Sequence, residues 1–276
     1  MTDHEPGNAS GNDPGDQADA ADLRFESEHE LVAVKPAGRS CELPGEADRR
    51  SWRAELERTL GERLRLCHRL DRIARGLILL ARSGPAAAFH ADRIRSGHLL
   101  KGYLVRVDGQ LDRHLLGVHR AYLRRRGRRA ELVRSGGDPA ALELLETAAA
   151  PDRPGQSHVA VRLETGRFHQ IRAMLASLGH PLAGDSLYGG SAPVDDDGRT
   201  PWLESAVLGF RPFGADRDLV VRSRPGPGMA VVDERVERAL ARLGEEHATI
   251  SERRDVGGSA PRPPSTPDRP PPSRGD

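Results

Sequence analysis

The chain has 276 residues, of which 37% are hydrophobic and 4% aromatic, so it can bury the core of one large domain or two small ones; a fibrous protein and a miniature scaffold are excluded. Its 42 basic and 41 acidic side chains leave a net charge of +1, which identifies no partner. Two cysteines, Cys41 and Cys67, cannot form a disulfide framework, and no segment approaches the roughly 18 apolar residues of a membrane span. We expect a soluble, cytoplasmic protein.

Both ends of the chain have compositions typical of disorder. The first 22 residues carry six acidic side chains and no Lys or Arg, and seven prolines fall between residues 261 and 272. Neither segment has enough apolar surface to offset the entropy lost on ordering. We therefore expect a disordered acidic tail over residues 1–21, one domain over residues 22–250, and a disordered Pro- and Arg-rich tail over residues 251–276.

Four elements are predicted in the first part of that domain. A short apolar run predicts a strand over residues 31–34, which ends in a Lys-Pro-Ala-Gly turn. Apolar residues at every fourth position predict an amphipathic helix over residues 52–64. A buried strand is predicted over residues 77–81, and a helix over residues 85–95, with Pro in its first turn and Gly just past its end.

The second half of the domain begins with alternating apolar residues. This pattern predicts half-buried strands over residues 103–107 and 159–163. The period then becomes helical, with Ile171, Leu175 and Leu178 on one face. Because strands and helices do not alternate regularly enough for a doubly wound sheet, we expect an α+β domain with a mixed, largely antiparallel β-sheet and flanking helices.

The first candidate site is a His-Arg-Leu-Asp sequence at residues 68–71, between the predicted helix and the next strand. Its Asp71 is flanked in sequence by Arg69, Arg72 and Arg75, whose positive charge would keep the carboxylate ionised. An ionised carboxylate can attack a carbon atom as a nucleophile. The alternative is an ordinary surface turn with ion pairs.

The second candidate is Tyr103, which opens a predicted strand directly after Lys101 and Gly102. A tyrosine at such a position usually fills the core, and its hydroxyl finds water or a protein partner. Its ring could instead stack on a nucleobase, while its hydroxyl exchanges a proton.

The third candidate is the Thr-Gly-Arg-Phe-His-Gln-Ile-Arg sequence at residues 165–172, where a strand leads into a helix. His169 and Arg172 are three residues apart and share a helical face, which we expect to be free for a ligand. Arg167 stands at the N-terminal end of the helix, where a phosphate or a carboxylate binds favourably. The turn-rich segment over residues 179–189 is predicted to be structural.

Between Arg120 and Arg134 lie seven arginines and a single acidic residue. Such a run is often a solvated loop. An Arg-rich loop can also neutralise phosphates, which makes nucleic-acid binding fall with salt. We therefore expect a loop that contacts nucleic acid, with simple solvation as the alternative.

Taken together and in this order, the motifs resemble those of the RluA family of RNA pseudouridine synthases. The resemblance covers residues 24–230 and rests on the turn at residues 34–38, on the sequences around Asp71, Tyr103 and residues 165–172, and on residues 179–189. It implies a mixed β-sheet domain with a central RNA-binding cleft and no cofactor. It also implies isomerisation of a specific uridine in structured RNA, either rRNA or tRNA, to pseudouridine.

The resemblance implies a role for each candidate residue. Asp71 would be the nucleophile that attacks the anomeric sugar carbon, and Tyr103 would stack on the base and accept a proton. Arg172 would pair with the catalytic carboxylate, with Arg167 as the second candidate. Arg69 would fill the gap left by the extruded nucleotide. The predicted substrate-binding residues are His68, Arg69, Arg167 and His169.

Several positions depart from the family pattern. Ala74 and Arg75 stand where Thr and Ser are usual, Phe168 stands where Thr is expected, and Met174 and Ser205 occupy frequent His positions. A catalytically weak or inactive RNA-binding or assembly factor with the same fold is therefore the alternative function.

Structured RNA is the expected partner, with no membrane association and no obligatory protein partner; a monomer suits such a substrate. We expect no small RNA-binding domain of the kind that many family members carry at the N-terminus, because residues 1–21 are too short and polar for one. A metal-dependent hydrolase would have to use His68, Asp71, His169 and His180, which lack the short ligand spacing of zinc enzymes.

Overall fold

Eleven strands and four α-helices form the part of the chain that the computed structural model describes, which is residues 21–191, 202–223 and 232–256. In chain order they are β1 (Leu23–Glu26), β2 (Glu30–Lys35), α1 (Trp52–Leu60), β3 (Arg65–Leu66), β4 (Arg75–Ala81), α2 (Gly84–Arg95), β5 (Leu100–Asp108), β6 (Gly117–Arg126), β7 (Arg129–Val133), β8 (Asp138–Ala149), β9 (Gln156–Leu163), α3 (Gln170–Ser177), β10 (Leu203–Phe210), β11 (Leu219–Arg222) and α4 (Glu234–Val256). Short 3-10 helices span Gly45–Arg50, Arg113–Leu115 and Ser186–Tyr188.

The strands join into one mixed sheet in the order β1-β2-β4-β10-β5-β9-β8-β6-β7, with β11 paired to β10 and β3 paired to β4. All pairs are antiparallel except β10 with β4, which run parallel. This confirms the predicted α+β class with a mixed, largely antiparallel sheet and flanking helices.

The predicted tails fall mostly on residues 1–20 and 257–276, which lie outside the described residues. The boundary at residue 250 needs correction, since α4 continues to Val256. Residues 251–256 contain neither Gly nor Pro, so their composition allows the helix to continue. Among the described residues, no helix has both the length and the apolar character to cross a membrane.

Helix α1 is shorter than the predicted span over residues 52–64. The Ser51 side chain caps its start by accepting a hydrogen bond from the Ala54 N–H at 3.2 Å. The helix ends at Leu60 because Gly61 adopts a left-handed conformation with φ of 69°. Leu64, the last residue of the apolar pattern, is nevertheless buried.

The prediction that β5 and β9 are half-buried strands is wrong, because both faces of each strand are covered. On the face that we call the cleft face, Val105 and Val161 join the core cluster that includes residues of α3. On the opposite face, Leu104 and Ala160 pack against α4. The alternating pattern did not predict this burial because the second cover comes from a helix more than 70 residues farther along the chain.

The arginine-rich segment is a β-hairpin and not the predicted loop. Strands β6 and β7 pair in register from Tyr122 with Val133 to Arg126 with Arg129, and Gly127 turns with φ of 58°. Ladder hydrogen bonds satisfy the backbone, so the high charge of the side chains does not prevent strand formation. We call β6 and β7 together the arginine hairpin.

Strands β4, β10 and β5 meet beside the loop of Asp71. Ser205 of β10 pairs with Gly76 of β4 on one side and with Tyr103 of β5 on the other. A Cβ atom at position 76 would come within 2.3 Å of the Ser205 carbonyl oxygen, and Gly76 has φ of 114°, so only glycine permits this close approach. The loop that carries Asp71 enters β4 at this point.

Candidate active site

Asp71 lies in the loop between β3 and β4, and Lys35 holds this loop in place. The Lys35 ammonium donates hydrogen bonds to the carbonyl oxygens of Pro36 (2.7 Å), Arg39 (2.8 Å) and Arg72 (3.3 Å). Lys35 is fully buried, so its three donors are satisfied by backbone and not by water. The lysine therefore joins the turn after β2 to the residue that follows Asp71.

The Asp71 carboxylate forms no hydrogen bond with any part of the chain that the structure describes. Burial raises its pKa to about 6; Arg172 opposes this rise, Asp185 adds to it, and Lys35 opposes it. Desolvation penalises the charged form more than the two cations favour it. The site thus holds a partly desolvated carboxylate that is ionised at neutral pH and has no hydrogen-bond donor among the described residues.

The predicted electrostatic support from neighbouring arginines is wrong. Arg69 forms an exposed ion pair with Glu42 at 2.7 Å, the Arg72 Nε donates to the Gly38 carbonyl at 2.9 Å, and Arg75 pairs with buried Glu204. Their partners come from other segments, which the sequence around Asp71 does not contain. Residues distant in the chain supply the positive charge that acts on Asp71.

Tyr103 is almost fully buried and lies close enough to Asp71 for the carboxylate charge to act on its phenol. Burial and the nearby Asp71 charge raise the pKa of the phenol, while a hydrogen bond with Ser205 lowers it. The Ser205 hydroxyl donates to the Leu77 carbonyl at 3.1 Å, so it accepts from Tyr103. Tyr103 therefore rests as a neutral phenol and not as a phenolate base.

Arg172 is buried beside Asp71, but its direct partner is Asp185 and not the predicted Asp71. Its Nε and one terminal nitrogen donate to the two Asp185 carboxylate oxygens at 2.6 and 2.9 Å, and the other terminal nitrogen donates to His169 Nε2 at 2.8 Å. This bidentate pair fixes the plane of the guanidinium. The predicted free polar face of α3 is therefore occupied by protein.

His169 precedes α3 in a left-handed conformation with φ of 50°, the only positive φ of a non-glycine residue within the described ranges. Because Arg172 donates to Nε2, the proton of the neutral ring is on Nδ1, which donates to the Tyr188 hydroxyl at 3.1 Å. Burial and the Arg172 charge lower the pKa of His169 to about 4. The ring is a neutral bridge between two residues near Asp71.

Two predicted substrate-binding residues are also engaged by the protein. His68 Nε2 accepts a hydrogen bond from the Leu79 N–H at 3.1 Å, and burial lowers its pKa to about 3. His68 thus anchors the loop of Asp71 to β4. Arg167 is exposed, and its Nε donates to the Pro139 carbonyl at 3.0 Å. Exposed Arg69 has only its surface ion pair with Glu42, and a pair of this kind contributes little to stability.

Three residues of the site were not among the predicted site residues. Lys35 was part of a predicted turn, and Asp185 and Tyr188 were assigned to a structural segment. Both Asp185 and Tyr188 affect Asp71 or Arg172 directly. A buried arginine requires a carboxylate partner. The prediction that Arg172 is functional therefore also implied a carboxylate beside it, which the structure shows to be Asp185.

The three histidines of the metal-site alternative are held apart by separate contacts. His68 faces Leu79, His169 bridges Arg172 and Tyr188, and His180 Nδ1 lies 3.1 Å from the Asp108 carbonyl. Over the described ranges, no three His, Cys, Asp or Glu side chains are grouped as metal ligands. The geometry gives no support to that alternative.

Asp71→Asn is expected to stabilise the fold at pH 8 but not at pH 4. The folded protein binds the Asp71 proton up to about pH 6 and the unfolded chain only to about pH 4, so wild-type stability falls as pH rises through this window. The neutral amide avoids that loss, for a gain of about 1–3 kcal/mol at pH 8. Urea denaturation of both proteins at pH 8 and pH 4 measures this gain. If the free energies of unfolding of variant and wild type differed by the same amount at both pH values, the raised pKa would be contradicted.

Comparisons with known proteins identify the family of the chain. The RNA pseudouridylate synthase family profile matches residues 29–177. The chain therefore belongs to the RNA pseudouridylate synthase family. As the motifs predicted, its relatives include members of the RluA family within it.

Two relatives illustrate the extent of the likeness. The chain is 34% identical over 179 residues to the uncharacterized RNA pseudouridine synthase YhcT of Bacillus subtilis, covering 63% of this chain and 59% of the relative. It is 31% identical over 247 residues to ribosomal large subunit pseudouridine synthase D of Xylella fastidiosa, covering 84% of this chain and 72% of the relative. The chain thus spans roughly three fifths to three quarters of these relatives.

The fold is also that of a solved structure. Human RNA Pseudouridylate Synthase Domain Containing 1 superposes with a TM-score of 0.62 at 20% sequence identity, over 84% of this chain and 97% of the human chain. The architecture of this human protein is therefore shared.

Proposed function

We propose that the chain converts a uridine in structured RNA, either rRNA or tRNA, to pseudouridine, with Asp71 as the nucleophile. The observation that carries this proposal is the Asp71 carboxylate itself, which is partly desolvated, lacks hydrogen-bond donors from the described chain, and lies beside Tyr103 and Arg172. The name of the Xylella fastidiosa relative, a ribosomal large subunit enzyme, supports rRNA as a substrate class.

The proposed reaction balances with the groups present. An Asp71 oxygen bonds to the anomeric carbon while the carbon–N1 bond breaks, and its electron pair leaves with the uracil ring. The ring turns, carbon 5 bonds to the anomeric carbon, and the Asp71 carboxylate is released. The proton leaving carbon 5 is replaced by one gained at N1, so no oxidant, external nucleophile or cofactor enters the balance.

Access to the sugar carbon requires the target nucleotide to leave the stack. Extrusion costs a few kcal/mol, which stacking and phosphate contacts offset. Tyr103 would stack on the everted base, and exposed Arg69, two residues before Asp71, would fill the vacated position. The arginine hairpin would contact the phosphates around the target.

The reaction is expected to lose rate in acid. Since the nucleophile must be ionised and burial raises the pKa of Asp71 to about 6, kcat/KM falls about tenfold per pH unit below that value and levels off above it. A pH–rate profile from pH 5 to 8 checks this, with RNA affinity measured at each pH as the control. A rate that rises in acid would contradict the nucleophile assignment.

Replacing exposed Arg126 and Arg128 of the hairpin, together with exposed Arg134 directly after β7, by Ala is expected to weaken RNA binding and flatten its salt dependence. Each lost phosphate contact reduces the slope of log K against log salt by about one. Filter binding between 50 and 200 mM salt measures this slope. The triple Lys variant is the matched control, because it retains the charge and should retain the slope. An unchanged slope in the Ala variant would mean that the hairpin is merely solvated.

The proposed activity is tested with the full chain and total RNA carrying tritium at uridine carbon 5. Pseudouridine formation releases that tritium to water, and sequencing of the product locates the position. Release that depends on the protein supports the proposal. RNA binding without release from any rRNA or tRNA would favour the inactive RNA-binding factor, and the absence of both would overturn the proposal.

A further inference from the structure

An unbroken stack of side chains connects the arginine hairpin with Arg172. The Arg125 guanidinium carbon, on β6, lies 4.4 Å from the centroid of the Phe168 ring. Phe168 in turn stacks on His169, with centroids 3.8 Å apart and planes at 18°. His169 Nε2 accepts the hydrogen bond from Arg172. The charged strand and the cation that acts on Asp71 are thus three contacts apart.

A second connection runs through Tyr188. Its hydroxyl accepts a hydrogen bond from the Ala130 N–H of β7 at 2.7 Å, and the Arg129 guanidinium carbon lies 5.1 Å from its ring centroid. The same ring lies 4.9 Å from the Arg172 guanidinium carbon, and its hydroxyl bonds to His169. Both strands of the hairpin are therefore connected to His169 and Arg172, β6 through Phe168 and β7 through Tyr188.

The alternation of strand residues divides the hairpin arginines by function. Arg125 and Ala130 are register partners on the cleft face, the face of buried Leu123. Arg120 and Arg124 have the opposite parity and are exposed on the other face. The cleft face of the hairpin thus contacts residues of the site, while the arginines on the other face and in the turn are exposed and can meet a ligand.

Phe168 is the central element of the stack, because its ring contacts both the Arg125 guanidinium and the His169 ring. The residue is 37% exposed, although its ring carries both of these contacts. A strained His169 backbone requires such surrounding support to persist.

We propose that Phe168 is a positioning residue that couples the arginine hairpin to Arg172, so that the guanidinium is set beside Asp71 when the hairpin engages RNA. The inference rests on the proposed function and adds a route by which RNA binding prepares the site.

The charged and titratable groups that face Asp71 are Lys35 of β2, Tyr103 of β5, Arg172 of α3, and Asp185 and Tyr188 of the following segment.

The test is Phe168→Ala in the full chain. We expect kcat to fall about 10- to 100-fold while RNA affinity changes less than about threefold, and the acid limb of the pH–rate profile to move to higher pH because a loosened Arg172 favours ionised Asp71 less. Phe168→Tyr retains the stack and should restore the rate. The double variant with Arg125→Ala should be no slower than Phe168→Ala alone, because both remove one connection.

Phe89→Ala is the matched control. Phe89 also precedes a histidine, His90, and the guanidinium carbon of Arg93 lies 5.8 Å from the centroid of its ring. These residues are on α2 and are not part of the stack. Its replacement should leave kcat and affinity unchanged. A wild-type kcat in Phe168→Ala, or effects that simply add with Arg125→Ala, would overturn the coupling.

An NMR measurement separates this inference from the proposed function. RNA binding should shift the ring nitrogen signals of His169 in the wild-type chain, and the shift should be lost in Phe168→Ala while RNA still binds. If the wild-type chain binds RNA but forms no pseudouridine, the proposed function fails and this readout still decides the coupling. Equal shifts in both proteins would overturn it.

Discussion

Asp71→Asn should lower kcat for pseudouridine formation by about 10⁴-fold or more, the order seen when an enzyme loses its nucleophile, with RNA affinity within about threefold of wild type. The amide keeps the shape of the side chain but has no anionic oxygen to bond to the sugar carbon. The wild-type carboxylate has no hydrogen bond with the described chain to lose, so the loop should not rearrange. Tritium release and filter binding on the same RNA measure the two effects.

Exposed Asp112, in the segment between β5 and β6, provides the matched control. Asp112→Asn removes one negative charge from the chain without touching the cleft and should leave rate and affinity unchanged. Asp71→Glu keeps a carboxylate but moves it by one methylene, so we expect most of the activity to be lost as well. Undiminished product formation by Asp71→Asn would rule out the proposed mechanism.

The site motifs could be read from the sequence because each is local. The turn after β2, the loop of Asp71, the opening of β5 and the Gly-rich entry to α3 each appear as a few consecutive residues with a characteristic turn or period. That these motifs lie together at one site was implied by the family resemblance and not by any of the local patterns. In the structure Asp71, Tyr103 and Arg172 do lie close enough to influence one another electrostatically.

The partners of the charged residues could not be predicted from local sequence. Three arginines adjacent to Asp71 in the chain pair with Glu42, Gly38 and Glu204, while the acting cations come from β2 and α3. An ion pair depends on which side chains the folded backbone brings within a few ångströms. Proximity in sequence was therefore a poor guide to the electrostatics of the carboxylate.

Burial of the sheet was underestimated for a related reason. An alternating strand predicts one solvated face only when nothing else covers that face. Helix α4 packs across the back of β5 and β9 through Leu240 and Leu243, and no element was predicted for its residues. The spacing of apolar residues from Val236 through Leu240 to Leu243 was the signal that could have predicted this helix.

Arg172→Met is expected to destabilise the fold by about 3–5 kcal/mol and to remove most activity. The replacement leaves the Asp185 carboxylate, only 2% exposed, without the guanidinium that satisfies both its oxygens, and an uncompensated buried charge has a penalty of this size. It also removes one of the two cations that lower the pKa of Asp71. Urea denaturation and tritium release measure the two losses.

The double variant Arg172→Met with Asp185→Leu separates the two roles of the arginine. Replacing both members of a buried ion pair by apolar residues is often neutral, so most of the lost stability should return, apart from the hydrogen bond to His169. Activity should not return, because Asp71 still lacks the neighbouring guanidinium. If stability and activity both returned in the double variant, Arg172 would only support the fold. If the double variant were as unstable as Arg172→Met, the unpaired Asp185 charge would not be the cause of the instability of Arg172→Met.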